Sequence, residues 1–407
     1  MPFDLLLRNA RIIGEETPHD IGIADGRIAA IAVRLPGGGP EEDLEGNLAI
    51  PGFVETHIHL DKACLLARCP CHAGTLAQAI ASVAAAKRDF TVEDVTERAE
   101  RTLEKAIVQG TTHMRTHVEV DPRVGLISFQ ALKALKQAYR WAIDISLCVF
   151  PQEGLTDDPG CEDVLVSALH AGADAIGGAP YRDKDPAGQL SRIFHLAKAF
   201  DVDIDLHLDF DLDPSRSDME EVCRLTDRSG WGGRVAIGHV TKLSAMPPER
   251  VEQAARRLAG AGVATTVLPA TDLYLNGREH AFNIPRGVAP AHRLAANGVI
   301  CSIATNNVLN PFTPYGDCSL VRMANLFANV AQLGSPDELA LCFQMITTMP
   351  AKLLNLAGYG IAVGHAADLV VLDCQSPDQA ISAIAQPRFG MKRGRRTFNH
   401  PRPELLR

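Results

Sequence analysis

The chain has 407 residues, 46% hydrophobic and 22% charged, which suits one large domain plus a small one and excludes wholesale disorder. A formal net charge of −9 argues against a nucleic-acid or anionic-membrane surface, which wants clustered Lys and Arg. No apolar run reaches the roughly 18 residues of a transmembrane helix, and Met1-Pro2-Phe3-Asp4 does not open like a secretory leader, so a cytoplasmic protein is expected.

In chain order, Phe3 to Ile13 opens a set of short strands. Ile21-Gly22-Ile23 and Ile28-Ala29-Ala30-Ile31 flank Ala24-Asp25-Gly26, and Asp-Gly between two apolar runs predicts a hairpin. Gly37-Gly38-Gly39-Pro40 reads as a loop. Eight strand candidates then follow: Ala49–Leu60, Thr112–Val120, Ile145–Pro151, Ala175–Ala179, Val202–Asp209, Val235–Val240, Ala264–Pro269 and Val299–Asn306. After the first they recur about every 30 residues, the length of a β/α unit. Amphipathic stretches such as Val92–Gln109 and Glu249–Ala261 carry helical spacing between them. The stretch from Asp61 to about Glu93 is too long for an ordinary βα loop and predicts a helix of its own over the barrel mouth.

A β-like piece returns at Ala367–Asp373. The expected fold is therefore α/β: a (β/α)8 TIM barrel over residues 51–355, beside a small composite β domain formed by the N- and C-terminal segments, residues 1–50 and 356–407. A doubly wound open sheet is the alternative. Lys392, Arg393, Arg395 and Arg396 read as a solvated strand edge. Among ten cysteines, Cys148 and Cys301 sit singly in apolar runs, as small hydrophobes do. Cys69-Pro70-Cys71-His72 has no second pair at ligand spacing, which speaks against a zinc knuckle.

Barrel enzymes place reactive groups at the C-terminal ends of their strands. The first strand ends Glu55-Thr56-His57-Ile58-His59-Leu60-Asp61, and period-2 alternation puts His57, His59 and Asp61 on one face. The fifth ends His207-Leu208-Asp209, aiming His207 and Asp209 alike, and the sixth ends Gly238-His239-Val240. A lone strand histidine is usually a hydrogen-bonded core residue. Four converging from three strand ends predict one divalent metal, with nitrogen ligands that suit Zn or Fe first and Mn or Co next.

With these residues in view, the sequence resembles the amidohydrolase superfamily, and within it the cytosine deaminase branch that includes the N-isopropylammelide amidohydrolases. The resemblance is carried by Phe3–Ala10, Pro51–Asp61, Arg115–Val120, Phe150–Gly154, the His207 and His239 strands, Tyr359–Gly364 and Ala367–Leu372, and it covers nearly the whole chain. It implies a barrel with a composite β domain, one metal held by His57, His59 and His207, a catalytic His239 near the metal, and a substrate-binding Gln152. No lysine occupies the fourth strand, so the bridging carboxylated lysine of binuclear relatives is absent.

Two departures stand out. The strand-five acid of the deaminases falls on Phe210, and their strand-eight aspartate falls on Asn306, followed by Asn307 where a second acid would stand. Asparagine keeps an acceptor oxygen but cannot take a proton. Asp209 is the first candidate to replace the missing acid, followed by Asp61 and Glu119, each of which could equally orient a neighbour. Phe312, after Pro311, offers an aromatic wall for a flat ring. Tyr274, Asn276, Arg278 and His280 line the pocket or form a solvated loop. The expected function is hydrolysis of a C–N bond, other than a peptide bond, in a small heterocyclic or amide substrate through metal-activated water. The alternative is a non-catalytic ligand-binding protein on the same scaffold. The expected partner is a small molecule, with self-assembly into a homo-oligomer left open.

Overall fold

The turn at Asp25-Gly26 shows how local chemistry sets the first sheet. The structure, a computed structural model, describes residues 3–69 and 74–406. The Cys69-Pro70-Cys71-His72 run therefore lies largely outside the described residues. β1 (Leu5–Ile12), β2 (His19–Ala24) and β3 (Arg27–Ala32) form a meander in which Ala24 faces Arg27. Asp25 and Gly26 alone make that turn, at φ +50° and +72°, the two positive values a type I′ hairpin requires.

β4 (Glu41–Asp43) and β5 (Leu48–Ile50) both pair with β1. From the other end of the chain, β14 (Leu369–Leu372) pairs antiparallel with β5, and β15 (Pro387–Lys392) and β16 (Arg395–Asn399) extend the sheet. N- and C-terminal segments thus share one sheet and one apolar core, in which Leu7, Ile21 and Ile23 pack with Leu369, Val371 and Phe389.

The second sheet is the barrel. Its eight parallel strands run in chain order: β6 (Phe53–Ile58), β7 (Thr111–Glu119), β8 (Asp144–Phe150), β9 (Ala175–Ile176), β10 (Asp203–Leu208), β11 (Val235–His239), β12 (Val263–Val267) and β13 (Cys301–Ile303). The ring closes between first and last strands: Asn306 N donates to His57 O at 2.8 Å and His59 N to Asn306 O at 2.8 Å. Glu55, fully buried, braces the same seam by accepting from His57 N at 2.9 Å and Thr305 N at 3.0 Å. The expected helices form at Val92–Val108 and Pro248–Ala261, and the long insertion after β6 carries its own helix, Leu76–Ala86, capped by Thr75.

Two expectations need correction. Ala49–Leu60 is two strands, β5 in the terminal sheet and β6 in the barrel. Pro51-Gly52 separates them: Gly52 lies at φ +82°, and a Cβ there would approach the Thr112 side chain to 2.4 Å. The basic stretch is not wholly a solvated edge. Lys392 is buried, with Nζ donating to Asp368 at 2.6 Å and Thr112 O at 3.1 Å and lying 2.8 Å from Asp144. Alternation turns it toward the barrel, where these carboxylates compensate its charge, while Arg393 reaches Asp144 from the exposed side.

Candidate active site

β6 carries His57 near its end and His59 just beyond it, and β10 brings His207 to meet them. His207 Nε2 lies 3.1 Å from His57 Nε2 and 3.0 Å from His59 Nε2. Burial first, and then the crowding of the imidazoles on one another, with Lys62 adding to it at His59 and His207, holds all three well below their ordinary pKa, which favours the neutral rings. A single proton on His207 Nε2 can serve only one of its two neighbours well. His207 Nε2 thus lies beside two other ring nitrogens, and one cation would satisfy each pair better, since zinc–nitrogen bonds of about 2.0–2.1 Å put ligand atoms at about such separations. His57, His207 and His239 also offer ligand atoms within 4.8 Å of one another. The donor set therefore fits a divalent transition metal.

His239 ends β11 at φ +70° and lines a narrow pocket together with His59 and His207. Its Nδ1 lies 2.6 Å from Asp272 Oδ1, and the other oxygen of that carboxylate accepts from Leu268 N at 3.2 Å. Asp272 is fully buried, and burial pushes its carboxyl above the usual range despite the adjacent imidazole. Asn306 (φ +64°) and Asn307 also line the pocket. Asn306 Oδ1 is buried with no hydrogen-bond partner among the described residues, whereas Asn307 Oδ1 accepts from Asn310 at 2.7 Å. Gln152 and Phe312 are at the wall, as is Phe210, whose ring centroid is 4.2 Å from that of His239.

Asp209 does not join them, which corrects the expectation that it shares the His207 face. β10 ends at Leu208, and Asp209 adopts φ +51°, so alternation breaks there. Its carboxylate accepts from Ser217 Oγ at 2.5 Å and Asp218 N at 3.1 Å, pinning the segment ahead of helix Met219–Ser229. Burial raises its pKa to about 6. Asp61 Oδ2 accepts from Glu119 N at 2.9 Å, and Glu119 is paired with Lys62 at 3.0 Å and Lys87 at 2.5 Å; neither acid lines the pocket. Tyr274, Asn276, Arg278 and His280 lie outside the pocket; the Arg278 guanidinium covers the Tyr274 ring, and Asn276 ties back to Asp272 O.

Sequence reasoning missed Lys62, Tyr181, Thr271 and Asp272. Lys62 follows the His-x-His-x-Asp run directly and lines the pocket, but it lies beyond the end of β6, where alternation gives no direction. Asp272 lies 33 positions from His239, and no spacing rule joins them.

The loop that carries Gln152 is held by Asp183. Burial raises the pKa of this carboxyl, but hydrogen bonds from Thr156 Oγ1, Thr156 N, Leu155 N and Gln189 outweigh it and hold the group at about 2. A depressed carboxyl stabilises the fold above its unfolded pKa near 4, and that stability is lost as pH falls toward about 2. Asp183→Asn is therefore expected to cost about 1–2 kcal/mol at pH 7, allowing for solvent screening. The gap from wild type should close between pH 4 and pH 2, as read by urea unfolding across that range.

Comparison with known proteins gives the class. The pattern of the amidohydrolase family matches residues 128–398. The chain is 29% identical over 402 residues to N-isopropylammelide isopropyl amidohydrolase of Pseudomonas sp. (97% of this chain, 96% of the relative). It is 30% identical over 386 residues to pterin deaminase of Rhizobium rhizogenes (92% and 87%). Among solved structures, 5-methylcytosine deaminase from Klebsiella pneumoniae with 5-fluorocytosine superposes with a TM-score of 0.94 at 27% identity, covering 99% of each chain. The N-isopropylammelide isopropylaminohydrolase from Burkholderia multivorans does so with 0.84 at 26%, covering 96% of this chain and 97% of that one. The chain belongs to the amidohydrolase family and is an enzyme of its deaminase-like branch; the superfamily works with a divalent metal, and this chain's histidine groups could hold one. Among the described residues no helix is long and apolar enough to cross a membrane.

Proposed function

We propose that this pocket hydrolyses a C–N bond of a small heterocyclic or amide substrate. One divalent transition metal would be held by His57, His59 and His207, zinc or iron before manganese or cobalt, within a barrel of residues 51–355 backed by the composite β domain of residues 1–50 and 356–407. The observation that carries the reading is the convergence of three neutral imidazole nitrogens at 3.0 and 3.1 Å. When bound, such an ion supplies Lewis-acid activation of water.

The chain's own residues supply the rest. The Asp272 carboxylate keeps a proton on His239 Nδ1, so Nε2 presents a lone pair. Neither Asn306 nor Phe210 can move a proton, so His239 Nε2 accepts one from water and returns it to the leaving nitrogen. Asn306 offers an acceptor oxygen in the pocket, Gln152 and Asn307 hold polar edges of the substrate, and Phe210 and Phe312 wall a flat ring.

The test is release of ammonia or alkylamine from a panel of aminated pyrimidines, triazines and pterins by protein reconstituted separately with zinc, iron, manganese and cobalt. At least one metal should support release with formation of the matching oxo product. Full metal occupancy with no release from any member would favour a binding protein on this scaffold.

A further inference from the structure

The charge facing the pocket points to one kind of ring. Among the described residues no carboxylate lines it, while one ammonium, that of Lys62, does. The acids nearby are not among its lining: Asp272 binds His239 and Leu268 N, Asp209 binds Ser217 and Asp218, Asp61 binds Glu119 N through one oxygen, and Glu119 pairs with Lys62 and Lys87. Lys62 is 1% exposed. Its Nζ donates to Glu119 Oε2 at 3.0 Å and to Gln152 Oε1 at 3.3 Å, which leaves one of its three protons without a partner among the described residues. It also lies 5.2 Å from the Phe150 ring centroid and 5.5 Å from that of Phe312, so an aromatic wall flanks the cation. Glu119, the acid paired with Lys62, is not part of the cavity lining.

Other groups at the wall extend this polarity. Gln152, Asn306 and Asn307 carry amides, and Tyr181 and Thr271 carry hydroxyls, all able to donate to an oxygen. A protonated or strongly basic amine placed here would meet Lys62 with no carboxylate to face. We infer that the pocket selects an anionic oxo-heterocycle, either a ring imide that has lost its N–H proton or a ring bearing a carboxylate, with the negative oxygen on Lys62. This rests on the reading of the site as a hydrolase of small rings and names its substrate class. The reaction stays the same: water adds at the carbon bearing the amine, the C–N bond breaks, the amine leaves with one of water's protons, and the other ends on the ring nitrogen beside the new oxo group.

The experiment is calorimetric binding to metal-loaded protein at pH 8, with barbiturate and orotate as anionic probes and dihydrouracil as the neutral one. Wild type should bind at least one anion about tenfold or more tighter than dihydrouracil. Lys62→Arg should keep the preference and Lys62→Met should lose it. Since Lys62→Met leaves the buried Glu119 with Lys87 as its one remaining ammonium partner among the described residues, the pair Lys62→Met with Glu119→Gln keeps the test valid if the single variant fails to fold. The inference is overturned if neutral and anionic rings bind equally, if none binds, or if the preference survives the loss of Lys62. Amine release from neutral rings without anion preference would sink this inference and leave the hydrolase reading standing. Anion preference tied to Lys62 without any amine release would do the reverse.

Discussion

His207→Ala is expected to abolish metal binding, and turnover with it. His207 Nε2 is the atom that both other ring nitrogens approach, at 3.1 and 3.0 Å. Without it, His57 and His59 lose the ring nitrogen they both approach, and the proposed ligand set falls below the three protein ligands of a catalytic site. Metal content should fall from about one ion per chain to under about a tenth, by elemental analysis after dialysis. The metal-free variant should melt no lower than metal-free wild type by more than a few degrees, because His207 faces two neutral imidazoles there. An apo variant that unfolds far below apo wild type would instead assign His207 a packing role. Retention of a full equivalent of metal would remove it from the ligand set.

The second large effect is expected at Asp272→Asn. The carboxylate serves two donors, Leu268 N–H and His239 Nδ1–H, one per oxygen. Asparagine has one acceptor oxygen and one NH2 group. The backbone N–H cannot change its protonation, so the amide oxygen stays with Leu268 and the NH2 turns to His239. Nδ1 must then accept, the ring proton moves to Nε2, and the pocket loses its base. Loss of a proton-transfer group typically costs roughly 10²–10⁴ in rate. The fall should appear in kcat with metal content unchanged, and the ring-nitrogen NMR shifts of His239 should report the exchanged tautomer. A kcat within threefold of wild type, with the tautomer exchanged, would show that His239 does not carry the proton.

These two residues mark where sequence reading succeeds and where it stops. His207 was legible because one strand's alternation decides which way its side chain faces, and its partners His57 and His59 obey the same rule on another strand. Asp272 was not, since its only link to His239 is through space, at the mouth of a closed barrel. Asp209 failed for a third reason. The period-2 rule holds only while the backbone stays extended, and at φ +51° it no longer does. Lys62 follows the first-strand histidines beyond the end of β6, where alternation says nothing about which cavity a side chain reaches.

By itself the sequence determined the parts that depend on short-range periodicity and turn chemistry: the eight-fold β/α alternation, the Asp25-Gly26 hairpin, the helix that must fill the insertion after the first strand, and the inward aim of His57, His59 and His207. The tertiary structure decided the rest. It split Ala49–Leu60 between two sheets at Pro51-Gly52, buried Lys392 between Asp144 and Asp368, withdrew Asp209, set Asp272 against His239, and brought Lys62 to the pocket. The physical reason is that backbone geometry repeats over two to four residues and can be read locally. Pairing of buried charges is fixed only when strand ends and loops distant in sequence are packed together and water is excluded, so that each charge must find its partner.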